Sequence, residues 1–274
     1  MQPVSGSPWS VLNTDDRLPI NVGGVIAPLE PQGDRTMSKS KNRKNIDSGY
    51  DKQNLYGPEE AVGILRNLSF AKFDESVDVA FRLGIDARQA DQIVRGTVSL
   101  PNGTGKDVKV VVFAESDQAR EAEEAGADLI GGQELAEAMQ KGKQSLDFDV
   151  VIAVPSMMSV VGRLGPVLGP RGLMPNPKSG TVTQDVGKTV AAFKAGRVEY
   201  RNDRYGNVHF PIGRVSFEVE TLLENLAVAG DEIIRSRPPT TKGKFVLSVT
   251  VSSTMGPGVK IDYGLFEDFV KESR

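Results

Sequence analysis

Polar and apolar positions follow two different patterns along the chain. Val77, Val79, Phe81, Leu83 and Ile85 alternate with Asp78, Arg82 and Gly84, the period-two signature of a strand with one wet face. Ahead of it, Ala61, Ile64, Leu65 and Leu68 recur at i, i+3, i+4 and i+7. With Gly57 as cap, Pro58 at the first helical position and Glu59 and Glu60 in the first turn, the spacing predicts a helix from Pro58 to about Asn67. Ile93 to Leu100 reads as a second strand. After Pro101 the pattern changes. Val108 to Ala114 is a continuous apolar run, as in a sheet buried on both faces. Helix Gln118–Ala125, strand Asp128–Gly131, helix Gln133–Gln140, strand Phe148–Val154 and helix Ser156–Arg163 follow, with a closing helix from about Gln184 to Ala195. That order predicts a small parallel α/β unit.

The first pattern then returns. Arg197–Arg201 and Asn207–Pro211 read as hairpin strands around Tyr205-Gly206-Asn207. Phe217 to Arg237 is a long helix ended by Pro238-Pro239, and a last strand, Phe245 to Val251, puts Phe245, Leu247, Val249 and Val251 on one face. The fold class is therefore α/β and α+β in two domains: a discontinuous antiparallel α+β domain with an inserted Rossmann-like parallel α/β domain. The expected boundaries are 45–103 with 194–265 for the first domain and 104–193 for the second, with an extension and basic arm over 1–44 and a tail over 266–274. Within Tyr263–Arg274 a short helix would put Leu265, Phe266 and Phe269 on one side; it is assigned no role. Two glycine-bearing crossings join the domains, with Pro101, Gly103, Gly105 and Gly196 as candidate hinge residues.

Composition narrows the function. The chain contains no cysteine, which excludes disulfides, thiolate metal sites and cysteine nucleophiles. No apolar run approaches the ~20 residues of a membrane span. Residues 1–36 are rich in Pro, Gly, Ser and Asn and read as disordered. Their acids Asp15, Asp16, Glu30 and Asp34 outnumber Arg17 and Arg35, unlike a transit peptide. Met37 opens Met-Ser-Lys-Ser-Lys-Asn-Arg-Lys. Residues 1–36 are either a true extension or lie upstream of translation starting at Met37, the reading preferred here. Net charge is −3, awkward for a nucleic-acid binder, but the charge is segregated. Acids dominate Glu115–Glu137, whereas Gly162–Ser179 carries Arg163, Arg171 and Lys178 and no acid. The acidic stretch is either a face held away from nucleic acid or an ordinary solvated helix surface.

Chemistry concentrates near the end, at Ser252-Ser253-Thr254-Met255-Gly256-Pro257-Gly258-Val259-Lys260. A hydroxyl-rich strand end meeting Gly-Pro-Gly is either an ordinary turn or a surface that lets a partner approach the backbone closely. Gly103-Thr104-Gly105-Lys106 fails as a phosphate loop, since Leu100 stands where Gly is needed and Asp107 where Ser or Thr is. His209 is the only histidine and sits in a strand pattern, where packing is the default. No catalytic triad or supported carboxylate pair is recognisable, so no enzyme is expected.

Five ordered motifs carry a resemblance: Ala71-Lys72-Phe73-Asp74-Glu75, Leu100–Lys106, Leu168-Gly169-Pro170-Arg171-Gly172-Leu173-Met174-Pro175-Asn176-Pro177-Lys178, Gly196–Asp203 and Ser253-Thr254-Met255-Gly256-Pro257-Gly258. From about Asn45 to Asp262 the chain resembles the bacterial ribosomal L-one family, RNA-binding proteins of the large subunit's mobile side stalk. The resemblance implies the same split of domains. It also implies an RNA-binding surface of Lys72, Phe73 and Asp74 beside Ser253, Thr254, Met255, Gly256 and Gly258. Phe73, a core residue by type alone, would pack on ribose or base; Lys72 would meet phosphate, and Asp74 a 2′-hydroxyl or base donor. Thr254 would exchange hydrogen bonds with a 2′-hydroxyl, Met255 would cover the sugar, and Arg201 and Lys260 would meet phosphates. Arg163, Arg171 and Lys178 lie in a Gly/Pro loop that either touches a second RNA segment or only wraps the sheet.

Implied partners are large-subunit rRNA, exit-site tRNA, an operon mRNA repressed by the protein and other ribosomal components, in the cytoplasm. No cofactor, metal or membrane is implied. The rival classes are an enzyme using the α/β insert for a nucleotide or small substrate, and an RNA-binding regulator that never enters ribosomes.

Overall fold

The computed structural model describes residues 46, 48–115, 117–142 and 146–273. The expected extension and basic arm over 1–44 lie outside the described residues.

A four-stranded antiparallel sheet forms the body. Strand β1 (Ser76–Leu83) lies between β7 (Asn207–Arg214) and β8 (Val246–Ser253), and β9 (Gly258–Ile261) pairs with the outer side of β8. The alternation of β1 has the expected effect: Val77, Val79, Phe81 and Leu83 are buried. Helices α1 (Pro58–Leu68), α7 (Val219–Arg235) and α8 (Tyr263–Glu272) contribute Leu65, Leu226 and Phe266 to the same core. Phe81 is its centre, with ring centroids of Phe210 at 6.1 Å and Phe266 at 5.9 Å, within the range of favourable aromatic pairs. The Glu60 carboxylate accepts the Gly57 N–H at 3.4 Å, closing the start of α1.

Several expectations change here. A register shift between Arg82 and Leu83 pairs Leu83 with Val246, so Val246 is buried and Leu247 is exposed; the irregularity breaks the alternation assumed for Phe245–Val251. Strands β6 (Arg197–Arg201) and β7 do not form a ladder with each other. The turn between them is closed by Asp203 N–H to Asn207 carbonyl at 2.8 Å, but β6 pairs with β2 (Arg95–Ser99) in a separate ribbon while β7 joins β1. His209 is exposed on the open face of the sheet rather than packed. There, Asp78 has its pKa raised by burial, and the His209 charge opposes that rise. Phe266 does not begin a tail: it is fully buried inside α8, with Val270 beside it, while Leu265 faces solvent.

The insert holds a three-stranded parallel sheet in the order β4-β3-β5, formed by β3 (Val110–Phe113), β4 (Leu129–Gly131) and β5 (Val150–Ala153). All four residues of β3 are buried because both faces are covered. Val111 and Phe113 share a core with Ala136 and Met139 of α3 (Gln133–Gln140). Val110 and Val112 share another with Ala122 of α2 (Asp117–Glu124) and with Val186, Val190 and Phe193 of α6 (Val186–Lys194). The helix expected over Ser156–Arg163 is broken into single turns, among them α4 (Met158–Val161) and α5 (Gly165–Leu168). Gly162, Gly165 and Pro166 supply the interruptions.

The pairings Ser76 with Arg214 and Val77 with Ser253 bring the start of β1 and the ends of β7 and β8 to one edge of the sheet.

Candidate nucleic-acid interface

Two loops emerge at that edge: Ser69–Glu75, leading into β1, and Thr254–Pro257, joining β8 to β9. Glu75 ties them together. Its side chain is fully buried. Oε1 accepts the Ser69 hydroxyl at 2.7 Å and the Ala71 N–H at 3.3 Å, and Oε2 accepts the Met255 N–H at 2.9 Å. Burial pushes the carboxyl pKa up, but the donors of Met255, Ser253, Ser69 and Ala71 outweigh it, and the group ends below its ordinary value. Ser253 acts there by proximity, since its buried hydroxyl makes no hydrogen bond of good geometry.

Thr254 continues the ladder beyond the last strand residue. Its N–H donates to the Ser76 carbonyl at 3.1 Å, and its Oγ1 accepts the Ser76 N–H at 3.0 Å. The hydroxyl expected to meet RNA is thus also a structural acceptor. The turn needs glycine next: a Cβ on Gly256 would overlap Ser253 Oγ.

The fixed loops leave large apolar side chains in solvent. Phe73 is 55% exposed and Met255 54%, with Phe70 at 42%. Such exposure of big side chains on rigid loops is informative where an isolated surface leucine is not. Lys72 is exposed. Asp74 is exposed, and its carboxylate accepts the Ser216 N–H at 3.1 Å and the Ser216 hydroxyl at 2.8 Å.

Other expected contacts lie elsewhere. Lys260 is exposed on β9 opposite Thr250, and four residues of strand separate Thr250 from Thr254, roughly 13 Å; Gly258, which opens β9 opposite Ser252, stays beside the edge. Arg201 is not part of this edge. It ends β6 just before the turn to Asn207, and Asn207 pairs with Arg82, at the far end of β1. Arg201 lines a cleft of about 430 Å³ between the β2–β6 ribbon and the insert. Arg171 lines the same cleft and donates to the Leu146 carbonyl at 3.2 Å, so this end of the Gly/Pro loop does wrap the insert. Lys178 and Arg163 are exposed, and Asn176 caps the turn of Lys178 by accepting its N–H at 2.8 Å.

At the crossings, Pro101 is exposed and the two crossing segments touch. Leu100 N–H donates to the Gly196 carbonyl at 3.2 Å, and a Cβ on Gly196, whose φ is +111°, would overlap Gly103 Cα. Gly103 also has a positive φ, +66°. Buried Asn225 of α7 fastens this point. Its Nδ2 donates to the Gly103 carbonyl at 3.0 Å and the Ile212 carbonyl at 2.7 Å, while Oδ1 accepts the Asn102 N–H at 3.2 Å.

Three organising residues were not singled out from the sequence: Glu75, Arg214 and Asn225. Asn225 leaves a trace there, a lone amide between the apolar Leu222 and Leu226 of an amphipathic helix. Glu75 closes the Ala71–Glu75 motif and Arg214 ends a basic stretch, but neither signals an organising role there, because a charged residue at a strand end is ordinarily solvated.

A model of the ribosomal protein L1p/L10e family matches residues 65–257. The large ribosomal subunit protein uL1 of Kitasatospora aureofaciens is 53% identical over 226 residues, covering 82% of this chain and 93% of the relative. The protein of the same description from Rubrobacter xylanophilus is 55% identical over 212 residues, covering 77% and 92%. That from Cutibacterium acnes is 55% identical over 226 residues, covering 82% and 97%. A match over most of the chain, joined to the discontinuous antiparallel body and parallel insert, places the protein: it belongs to the ribosomal protein L1p/L10e family.

Proposed function

We propose that the chain is a component of the large ribosomal subunit that recognises folded rRNA through the edge carrying Phe73 and Met255. One observation carries the reading: two half-exposed apolar side chains stand on separate loops that the buried Glu75 locks together. A preformed surface of this kind suits RNA recognised by shape, sugar contacts and unstacked bases. The Phe73 ring offers a face to a base or ribose, and Met255 an adaptable cover for a sugar. Lys72 supplies one phosphate contact.

The RNA is the mobile side stalk, and the family resemblance extends the role to release of exit-site tRNA and repression of the protein's own operon mRNA. The site of action is the ribosome of the cytoplasm. Residues 104–193 act as a second domain beside the RNA-binding body formed by 45–103 and 194–265. The protein contributes binding and positioning rather than catalysis.

Binding to isolated large-subunit rRNA fragments tests the reading. Tight binding to a side-stalk fragment, with a shallow salt dependence equivalent to few phosphate contacts, is expected. Equal affinity for all fragments, or a steep salt slope typical of basic-arm binders, would overturn it.

A further inference from the structure

We infer that Arg214 couples the RNA-contacting loop to the insert: one guanidinium holds both the residue after Phe73 and the first crossing, so RNA engagement and insert orientation depend on each other. The inference rests on the RNA-binding reading of the Phe73–Met255 edge.

Arg214 closes β7. Its Nη1 donates to the Asp74 carbonyl at 3.0 Å, and its Nε donates to the Gly105 carbonyl at 3.2 Å. The planar fork of arginine fixes the direction of both bonds at once, which the single ammonium of lysine does not. On the RNA side, the grip on Asp74 is stiff, because the Asp74 carboxylate also holds Ser216 through two hydrogen bonds. On the insert side, Gly105 lies flat against the same residue. A Cβ there would stand 2.9 Å from Arg214 Cγ and 2.9 Å from the Phe217 ring. The next residue, Lys106, places its ammonium 2.5 Å from Asp149 Oδ1, just before β5 of the insert.

The path is therefore continuous: Phe73 to Asp74 by the chain, Asp74 to Gly105 by the guanidinium, Gly105 to Asp149 by the Lys106 ion pair. The attachments of the first crossing through Asn225 to Asn102 and Gly103 lead to helix α7 and do not touch the RNA loop. Coupling is reciprocal. If RNA changes the preferred orientation of the insert, that orientation changes RNA affinity by the same factor.

The absence of cysteine makes the test direct. Cysteines introduced at Ser159 in the insert and Lys242 in the body, both exposed, take a fluorophore pair without competing sites. Energy transfer is then read with and without a side-stalk rRNA fragment. In the otherwise wild-type chain, saturating RNA is expected to shift the transfer efficiency. In Arg214→Gln the shift is expected to vanish while the fragment still binds. In Arg214→Lys, which keeps the stem over Gly105 and the charge but loses the fork, it is expected to be at least halved, and this variant carries the test should the glutamine variant misfold. A residue with only a structural role would change stability and leave the RNA-induced shift intact. An undiminished shift in either folded variant overturns the coupling, as does RNA binding to the unsubstituted chain with no shift. Failure of that chain to bind any fragment overturns the RNA reading itself, and the coupling with it.

Discussion

The carboxylate of Glu75 accepts the backbone N–H of Met255 at 2.9 Å across 180 residues of sequence. This bond joins the two exposed loops into one surface, and it is buried on the protein side while the side chains it positions face outward. Glu75→Gln replaces one acceptor oxygen with a donor that opposes N–H groups. We expect a loss of about 1–3 kcal/mol in unfolding free energy at neutral pH. The folded-state pKa of Glu75 lies below its ordinary 4.5, so its ionised form adds stability above that value and loses it as pH falls through the folded pKa. Urea unfolding of both proteins across the acid range checks this: the gap between them should narrow on acidification. A gap constant with pH would remove the ionised carboxylate from the account.

Phe73→Ala separates binding from folding. At 55% exposure the ring contributes little to the core, and stability should stay within about 0.5 kcal/mol of wild type. Affinity for the rRNA fragment should fall by about 1–3 kcal/mol, the range for losing one stacking partner. Titration calorimetry beside thermal melts distinguishes the two effects.

Thr254 should respond to chemistry rather than size. Thr254→Ser keeps the acceptor for the Ser76 N–H and should bind RNA nearly as well as wild type. Thr254→Val loses that acceptor and the hydroxyl donor together, so RNA affinity should fall by about 1–3 kcal/mol. Equal behaviour of the two variants would show that the hydroxyl is dispensable.

Gly256→Ala should destabilise the fold by about 1–3 kcal/mol through overpacking, because the new methyl overlaps Ser253 Oγ. Ser253→Ala removes that oxygen, together with a donor that helps hold Glu75 ionised. The double variant should recover much of the loss, since the remaining Ser253 Cβ would lie 3.5 Å from the added methyl. A double-mutant cycle in denaturant reads this coupling.

Tyr200 gives an alkaline signature. Burial, reinforced by the Glu232 carboxylate that accepts its hydroxyl at 3.3 Å, pushes its pKa up to about 12 from 10.0. A raised folded pKa means stability fully present below pH 10 and lost as pH climbs toward 12. The loss amounts to about 3 kcal/mol. Tyr200→Phe should remove this component, which unfolding curves at rising pH would reveal.

Strong periodicity made much of this architecture legible. The stripe of Ala61, Leu65 and Leu68 and the alternation of β1 each point to one buried face, and the apolar run at Val110–Phe113 to a strand covered on both. Strand β9 is not legible from periodicity, because Gly258–Ile261 is only four residues and begins inside a glycine–proline turn. The exposure of Leu247 runs against the alternation, because a local register shift leaves no mark in composition. The site was legible only through motif resemblance. Residue type alone assigns Phe73 to a core and leaves Glu75 on the surface, since their surroundings come from chain segments remote in sequence.

The contact between Gly103 and Gly196 has a consequence for how such a chain folds. The insert leaves the body and re-enters it at one point, where Leu100 already donates to Gly196. Once the insert's own short-range βα units have formed, they act as a shortcut across their whole length. Bringing β2 to β6 then costs the closure entropy of a small loop rather than a long one, and the body's apparent contact order drops to that of a much shorter protein.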